Sequence, residues 1–237
     1  MSLGTILALS TALAATAHAE TSVTIAPSLF PDKLGAKGAL TVTMDYSGGE
    51  AGVPSPVSRA VLRLPAGLGI DIPELRSCAV ARLRARGPSG CPAQSEIGRG
   101  HAMAEVHAGS QLLTESISLW LFLGPLRGFE PTLEILGQGY TPFDERVVFT
   151  GTALTANPPY GEELVMSIPA IPTLPLEPDA SIATMSLTIG TSNPHRPRDA
   201  DTVTVPRSCP PGGFPFAAEF TYLDGAIGDA LAKVPCP

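Results

Sequence analysis

Proline and glycine interrupt this chain along its whole length. The 237 residues include 25 prolines and 24 glycines, which separate short apolar runs from one another. Proline removes a backbone hydrogen-bond donor and glycine favours turns, so neither suits the interior of long helices. Several of the intervening runs alternate apolar and polar residues, as in 39–46 and 57–64, which is the period of a half-buried strand. The pattern predicts about ten to twelve short strands joined by turns.

The number and spacing of these strands favour an all-β fold. We expect a single domain, residues 20–237, built as a two-sheet antiparallel β-sandwich of Ig-like or jelly-roll-like type. The run 117–123 is apolar on both alternating faces, so it is expected to be a central strand covered on both sides. One short helix is predicted near residues 73–86, capped by Asp71, with Pro73 in its first turn and Gly87 at its end.

The first nineteen residues predict export. They contain no charged side chain, are largely apolar, and end in Ala17-His18-Ala19, which fits the small-x-small rule of signal peptidase cleavage. The alternative is a buried N-terminal helix. We therefore expect a signal peptide at 1–19, and a mature chain without a transmembrane segment, since no later apolar run reaches about 20 residues. The expected location is secreted, extracellular or in the cell envelope.

Four cysteines suit an oxidising compartment. Cys78, Cys91, Cys209 and Cys236 allow three disulfide pairings, and proximity in sequence favours Cys78 with Cys91 and Cys209 with Cys236. A zinc site is a weaker alternative, because the cysteines lack the close spacing of zinc ligands.

The last part of the chain predicts a hairpin at Asp224-Gly225. A two-residue turn there would pair Leu223 with Ala226 and place Cys236 opposite Gly213. The hairpin by itself therefore does not bring Cys236 to Cys209.

Charge excludes one class of partner. The net charge is −7, without a large basic block, so we expect no nucleic-acid partner. The densest positive stretch contains Arg82, Arg84 and Arg86, which we interpret as a solvated helix end. The alternative is an anion-binding patch, for example for acidic glycans.

Sequence motifs give no catalytic site and no cofactor. A Gly-x-Ser-x-Gly elbow, a P-loop, a dinucleotide-binding fingerprint and an EF-hand loop are all absent from the sequence. Asp199 and Asp201 are weak candidates for a calcium loop. His101, Glu105 and His107 share one strand face, but the two histidines are about 20 Å apart at 3.3 Å per residue, too far to share one metal.

Carbohydrate chemistry is the main rival interpretation. A glycosidase needs two facing carboxylates, and nothing in the sequence selects a pair among Glu130, Glu134, Asp144 and Glu145. A sugar-binding module usually exposes aromatic rings, for which the loop candidates are Tyr140, Phe143 and Tyr160. We favour the simpler interpretation that these rings pack against neighbouring prolines.

Two groups of motifs resemble a known set of proteins. The first is Leu-Pro-Ala-Gly-Leu at 64–68, followed by Cys91-Pro92, Ser95 and Ile97-Gly98. The second is Ser208-Cys209-Pro210 with Phe214-Pro215 and the closing Val-Pro-Cys-Pro at 234–237. Together they resemble uncharacterised exported proteins of actinobacteria. The resemblance implies export, disulfides and a β-rich fold, and it supplies neither a substrate nor an activity.

These observations favour a binding function over catalysis. We expect an exported, non-catalytic envelope or extracellular protein that binds or scaffolds an unknown ligand, with the cell envelope or a glycan as a possible contact. The alternative is a secreted carbohydrate-active enzyme or carbohydrate-binding module.

Overall fold

The computed structural model describes residues 21–49, 51–70, 76–142, 144–173, 177–190 and 202–237. Within these ranges the chain forms thirteen strands, one α-helix and two 3-10 turns, Pro88–Gly90 and Ala93–Ser95. The helix is α1 (Val80–Arg86). The strands are β1 (Ser22–Phe30), β2 (Lys37–Ser47), β3 (Val57–Pro65), β4 (Gly69–Ile70), β5 (Glu96–Ala108), β6 (Gln111–Leu123), β7 (Thr132–Gln138), β8 (Arg146–Thr155), β9 (Tyr160–Ser167), β10 (Ser181–Ile189), β11 (Val203–Thr204), β12 (Phe214–Tyr222) and β13 (Ile227–Val234).

The strands join into one curled antiparallel sheet. Its order is β13-β12-β3-β9-β8-β7-β6-β5-β10-β2, with β1 pairing the other edge of β2. The two-residue strands β11 and β4 continue from the first residues of β2. Curling brings β1 into contact with β13, although no strand pairing joins these two within the described residues.

The predicted antiparallel all-β fold with one helix is confirmed, but the predicted two-sheet sandwich is not. Continuous pairing leaves one sheet that bends into a half-barrel. Register shifts interrupt four of the pairings, those of β10 with β5, β12 with β3, β3 with β9 and β5 with β6. An extra residue in one strand bends a sheet and increases its twist, so these irregularities let a single sheet enclose its own core.

The core lies on the concave face of the sheet. In β2, Leu40, Val42, Met44 and Tyr46 are buried there. The intervening residues face outward, where the hydroxyl of Thr41 lies 2.9 Å from that of Thr188 in β10. This alternation is the one that the sequence predicted for residues 39–46.

The convex face of β6, β7 and β8 is covered as well. Leu83 of α1 and Cys78 pack against Phe122, Leu136 and Val148 in a second cluster of buried residues. Side chains of β6 on the other face, such as Leu121, belong to the main core. The prediction that residues 117–123 form a strand covered on both sides is therefore confirmed.

The helix is shorter than predicted. It begins at Val80, and its N-cap Ala79 makes no side-chain capping bond. Residues 71–75, which include the expected cap Asp71 and Pro73, lie outside the described residues, and 76–79 are not helical. The predicted end is confirmed, because Gly87 has a φ of 64° and donates its N–H to the carbonyl of Leu83, a conformation that glycine adopts at low cost.

Both favoured disulfides are present. Cys78 bonds to Cys91 and Cys209 bonds to Cys236, so no described cysteine is free to bind zinc. Two disulfides indicate an oxidising environment. No helix in the described part of the chain is long and apolar enough to cross a membrane. Residues 1–20, with the predicted signal peptide, lie outside the described residues.

The last hairpin differs from the prediction by one residue. Thr221 pairs with Ile227 rather than Leu223 with Ala226. Tyr222 accepts a hydrogen bond from Gly225, whose φ is 85°, and donates its own N–H to the carbonyl of Ala226. The longer turn moves the register, and the cysteines lie just beyond the ends of β12 and β13, where the loops close the bridge.

Candidate functional site

An open concavity lies at one end of the curled sheet, and we call it the end bowl. Its volume is 1460 Å³, which exceeds the roughly 300–1,000 Å³ of many small-molecule sites. The wall comes from five separate parts of the chain: Thr21, Gly49 with the segment 51–56, and the segments 106–110, 177–181 and 223–226. These are the connections at one end of β1, β2, β5, β10 and β12, so the sheet gathers them around one space.

Hydrogen bonds hold the wall segments together. The N–H of Ser55 donates to the hydroxyl of Thr21 at 3.2 Å, and the N–H of Leu223 donates to the carbonyl of Pro56 at 2.8 Å. A ring nitrogen of His107 lies 3.4 Å from the carbonyl of Ala51. The 51–56 segment thus contacts three other parts of the wall, which makes the bowl a connected structure.

The bowl is acidic. Glu177, Asp179 and Asp224 line it together with His107, and the described lining includes no lysine, arginine or aromatic ring. Glu177 and Asp224 are exposed, and Asp179 is half-buried. The amide of Ala226 donates to the Asp224 carboxylate at 2.9 Å and fixes that side chain in its turn. Three carboxylates without a neighbouring cation in the lining favour a positively charged ligand.

An apolar cavity of about 70 Å³ lies inside the sheet. Its lining consists of aliphatic side chains, methionines and aromatic rings, among them Met44, Met166, Met185, Ala60 and Phe220. At two places, residues consecutive in sequence line the two spaces. Pro56 lines the bowl and Val57 lines the cavity, and Ser181 lines the bowl and Ile182 lines the cavity. The two spaces are therefore neighbours along the axis of the curl.

Two buried tyrosines lie near this end of the core, and only Tyr46 lines the cavity. Tyr46 lines the cavity, packs edge-on against Phe220 at 5.2 Å and donates its hydroxyl to the sulfur of Met44. Tyr222 pairs with Val57, and its buried hydroxyl has no hydrogen-bond partner. Burial, aided by the charge of Asp224, raises the pKa of Tyr222 to about 12. Burial and the proximity of Tyr222 also raise the pKa of Tyr46.

The predicted basic stretch lies on the opposite, convex side of the sheet. Arg82, Arg84 and Arg86 are all exposed on α1, which agrees with a solvated helix end. The structure does not bring these side chains to the bowl, because α1 packs over β7 and β8.

A buried carboxylate lies under this helix. Glu134 in β7 is only 3% exposed, and one of its oxygens has no hydrogen-bond partner. Burial raises the pKa of Glu134 to about 7, against the opposing charges of Arg84 and Arg127. A carboxyl group that titrates near neutrality suits acid–base chemistry, but this one is enclosed by protein, so we assign it to the packing of α1.

The other glycosidase candidates do not surround one cleft. Glu130 lies in the exposed turn before β7 and pairs with Arg127 through the backbone. Asp144 and Glu145 follow β7 at its other end, where the carboxylate of Asp144 accepts a hydrogen bond from Gln138. None of these acids lines the end bowl.

The metal and aromatic candidates also fall in different places. Asp199, Asp201 and Phe143 lie outside the described residues. His101, Glu105 and His107 share the outer face of β5, as predicted, and no group of three potential metal ligands exists within the described ranges. Tyr140 is exposed and Tyr160 half-buried.

Sequence reasoning did not single out the acids of the bowl. Glu177, Asp179 and Asp224 belong to connections that are far apart in sequence, and only Asp224 carried a signal, as a turn residue. The strand order that brings their loops to one end was not available from local patterns.

Comparisons with known proteins identify no relative. No protein-family model matches the chain, and neither the curated proteins nor the solved structures contain a match.

Proposed function

We propose that this chain is an exported binding protein of the cell envelope or extracellular space, which holds small cationic ligands in the end bowl without transforming them. The observation that carries the proposal is the bowl itself, a 1460 Å³ concavity built from five connected segments. Its three carboxylates attract positive charge and oppose anionic ligands. Export is supported by the two disulfides, which suit an oxidising compartment.

The carbohydrate alternative has less support. Sugar-binding sites usually stack sugar faces on aromatic rings, and the described lining of the bowl contains none. The acids that the sequence offered for glycoside hydrolysis lie elsewhere on the sheet.

Calorimetric titration of the mature chain, residues 20–237, with spermidine tests the proposal. We expect binding that weakens with added salt. Replacing both Asp179 and Asp224 by asparagine should weaken binding about thirtyfold, since each nearby charge contributes about 1 kcal/mol in water. Asp45→Asn, on the exposed outer face of β2, is the matched control and should leave binding unchanged.

Two results would contradict the proposal. One is spermidine binding that is equal in the wild type and in the double variant, because the bowl would then not hold the ligand. The other is hydrolysis of a substrate from a broad hydrolase panel that a single substitution in the chain abolishes, because the protein would then be an enzyme.

A further inference from the structure

The apolar cavity is large enough to hold part of a ligand. A cavity of about 10–15 Å³ holds one water-sized group, so a volume of about 70 Å³ has room for roughly five such groups. The lining offers almost no polar partner, and apolar cavities of this kind accept hydrocarbon rather than water. A chain of about five carbon atoms therefore fits the space.

The lining is also adaptable. Met44 of β2, Met166 of β9 and Met185 of β10 contribute three thioether side chains to the wall. Methionine has three rotatable bonds and fills irregular space, so it can change rotamer around an inserted chain at low cost. Met166 and Met185 are only half-buried, which leaves them room to move.

The cavity lies next to the end bowl rather than at a distant place. Ser181 lines the bowl and Ile182 lines the cavity, and the same holds for Pro56 and Val57. A single ligand that lies over these residues would contact both spaces.

We propose that the ligands of this protein are cationic amphiphiles, whose ammonium head lies in the end bowl and whose hydrocarbon tail of about five carbons occupies the apolar cavity. The head position rests on the proposed function, and the tail position rests on the cavity. An acidic, open space beside an apolar one matches a molecule with charge at one end and hydrocarbon at the other.

The test is calorimetric titration of the mature chain with n-alkylammonium chlorides, from methylammonium to decylammonium, below their micelle concentrations. Affinity should rise about fourfold with each added methylene until the tail reaches about five carbons, and then remain constant. The corresponding n-alkylcarboxylates should bind more weakly at every length, because the bowl repels their heads.

Two substitutions locate the tail. Ala60 lies on the inner face of β3 between Met166 and Phe220, so Ala60→Leu fills the cavity and should remove the dependence on tail length while spermidine still binds. Ala26→Leu, on the exposed outer face of β1, is the same chemical change away from the cavity. This control should preserve the dependence of affinity on tail length. If Ala60→Leu does not fold, Met185→Ala enlarges the cavity and should move the plateau to longer tails.

The outcomes separate the two proposals. If affinity does not depend on tail length while spermidine still binds, the proposal that the ligands are amphiphiles is overturned. The proposed cation site in the bowl then still stands. Affinity that rises with tail length but is unchanged by the Asp179→Asn, Asp224→Asn double variant overturns the head site and the proposed function with it.

Discussion

The backbone N–H of Cys78 donates a 2.8 Å hydrogen bond to the carbonyl of Leu123, the last residue of β6. Cys78 itself is 1% exposed and is bonded to Cys91. The bond and the disulfide together hold α1 and its flanking turns against the convex face of the sheet. This segment, rather than a second sheet, covers the outer side chains of β6, β7 and β8.

Removal of the Cys78–Cys91 disulfide should destabilise the protein and uncover this face. With 13 residues of separation, a Cys78→Ala, Cys91→Ala variant is expected to lose about 3 kcal/mol of stability by the loop-entropy relation. Trp120, the single tryptophan, packs beside this cluster, so its fluorescence emission should shift to the red as well.

The matched control for that experiment is the Cys209→Ala, Cys236→Ala variant. It should lower the melting temperature while leaving the emission of Trp120 unchanged, because its cysteines lie near the free ends of β12 and β13. Identical emission spectra for the two double variants would show that the first disulfide does not hold α1 in place.

The buried carboxyl of Glu134 should make stability depend on pH. Its folded pKa of about 7 lies above its ordinary 4.5, so between these values the folded state binds more protons than the unfolded state. The contribution of Glu134 to the free energy of unfolding is therefore fully present below about pH 4.5, and it is lost as pH rises through about 7. Relative to the wild type, the free energy of unfolding of Glu134→Gln should increase by about 3 kcal/mol between pH 4.5 and pH 8.

Chemical denaturation of both proteins across this pH range measures the difference. The comparison isolates Glu134 because other groups with raised pKa values, such as Glu162, are present in both. A difference between the two free energies of unfolding that is constant from pH 4.5 to 8 would show that Glu134 is charged throughout.

Arg84 should have a specific effect on Glu134 that its neighbours on α1 lack. The Arg84 guanidinium lowers the pKa of Glu134 against the effect of burial, so Arg84→Gln should raise that pKa further. The pH at which stability is lost should then move upward. Arg82→Gln, a change at another exposed arginine of the same helix, should leave the dependence of stability on pH unchanged. An equal shift in both variants would argue for a general charge effect.

Gly100 should not tolerate a side chain. A Cβ at this position of β5 would overlap the carbonyl oxygen of Ser186 and lie 2.9 Å from the Cα of Leu187, both in the backbone of β10. Because backbone atoms of a paired strand cannot move aside easily, Gly100→Ala should cost about 1–3 kcal/mol of stability. Gly69→Ala meets no atom within 4 Å and should change stability by less than about 0.5 kcal/mol.

Loss of the Tyr222 hydroxyl should not destabilise the free protein. The hydroxyl is buried without a partner, so Tyr222→Phe removes a desolvated polar group and keeps the ring. We expect the melting temperature to stay the same or to rise. The free energy of unfolding should increase by at most about 1 kcal/mol. A clear fall in melting temperature would mean that the hydroxyl has a hydrogen-bond partner in solution.

Local patterns predicted the elements better than their assembly. The alternation of residues 39–46, the two apolar faces of 117–123 and the glycine stop at Gly87 each depend on neighbours in sequence, and the structure agrees with all three. The number of sheets depends instead on which strands pair. Ile189 of β10 pairs with Leu40 on one side and Gly98 on the other, and no local signal indicates such partners.

The candidate site escaped prediction for the same reason. Arg82, Arg84 and Arg86 form a dense cluster in sequence and are conspicuous there, yet they surround no cavity. Asp179 and Asp224 are isolated acids in sequence, and they meet only because the ends of β10 and β12 lie at the same end of the sheet. Burial of Glu134 was equally hidden, since it depends on α1 crossing β7.

The position of β3 has a consequence for when the chain can fold. Arg59 of β3 pairs with Ser167 on one side and with Thr221 on the other. Both partners of β3 are therefore synthesised long after β3 itself. Contacts this distant in sequence form slowly, and the growing chain has no complete sheet until its last fifth is synthesised.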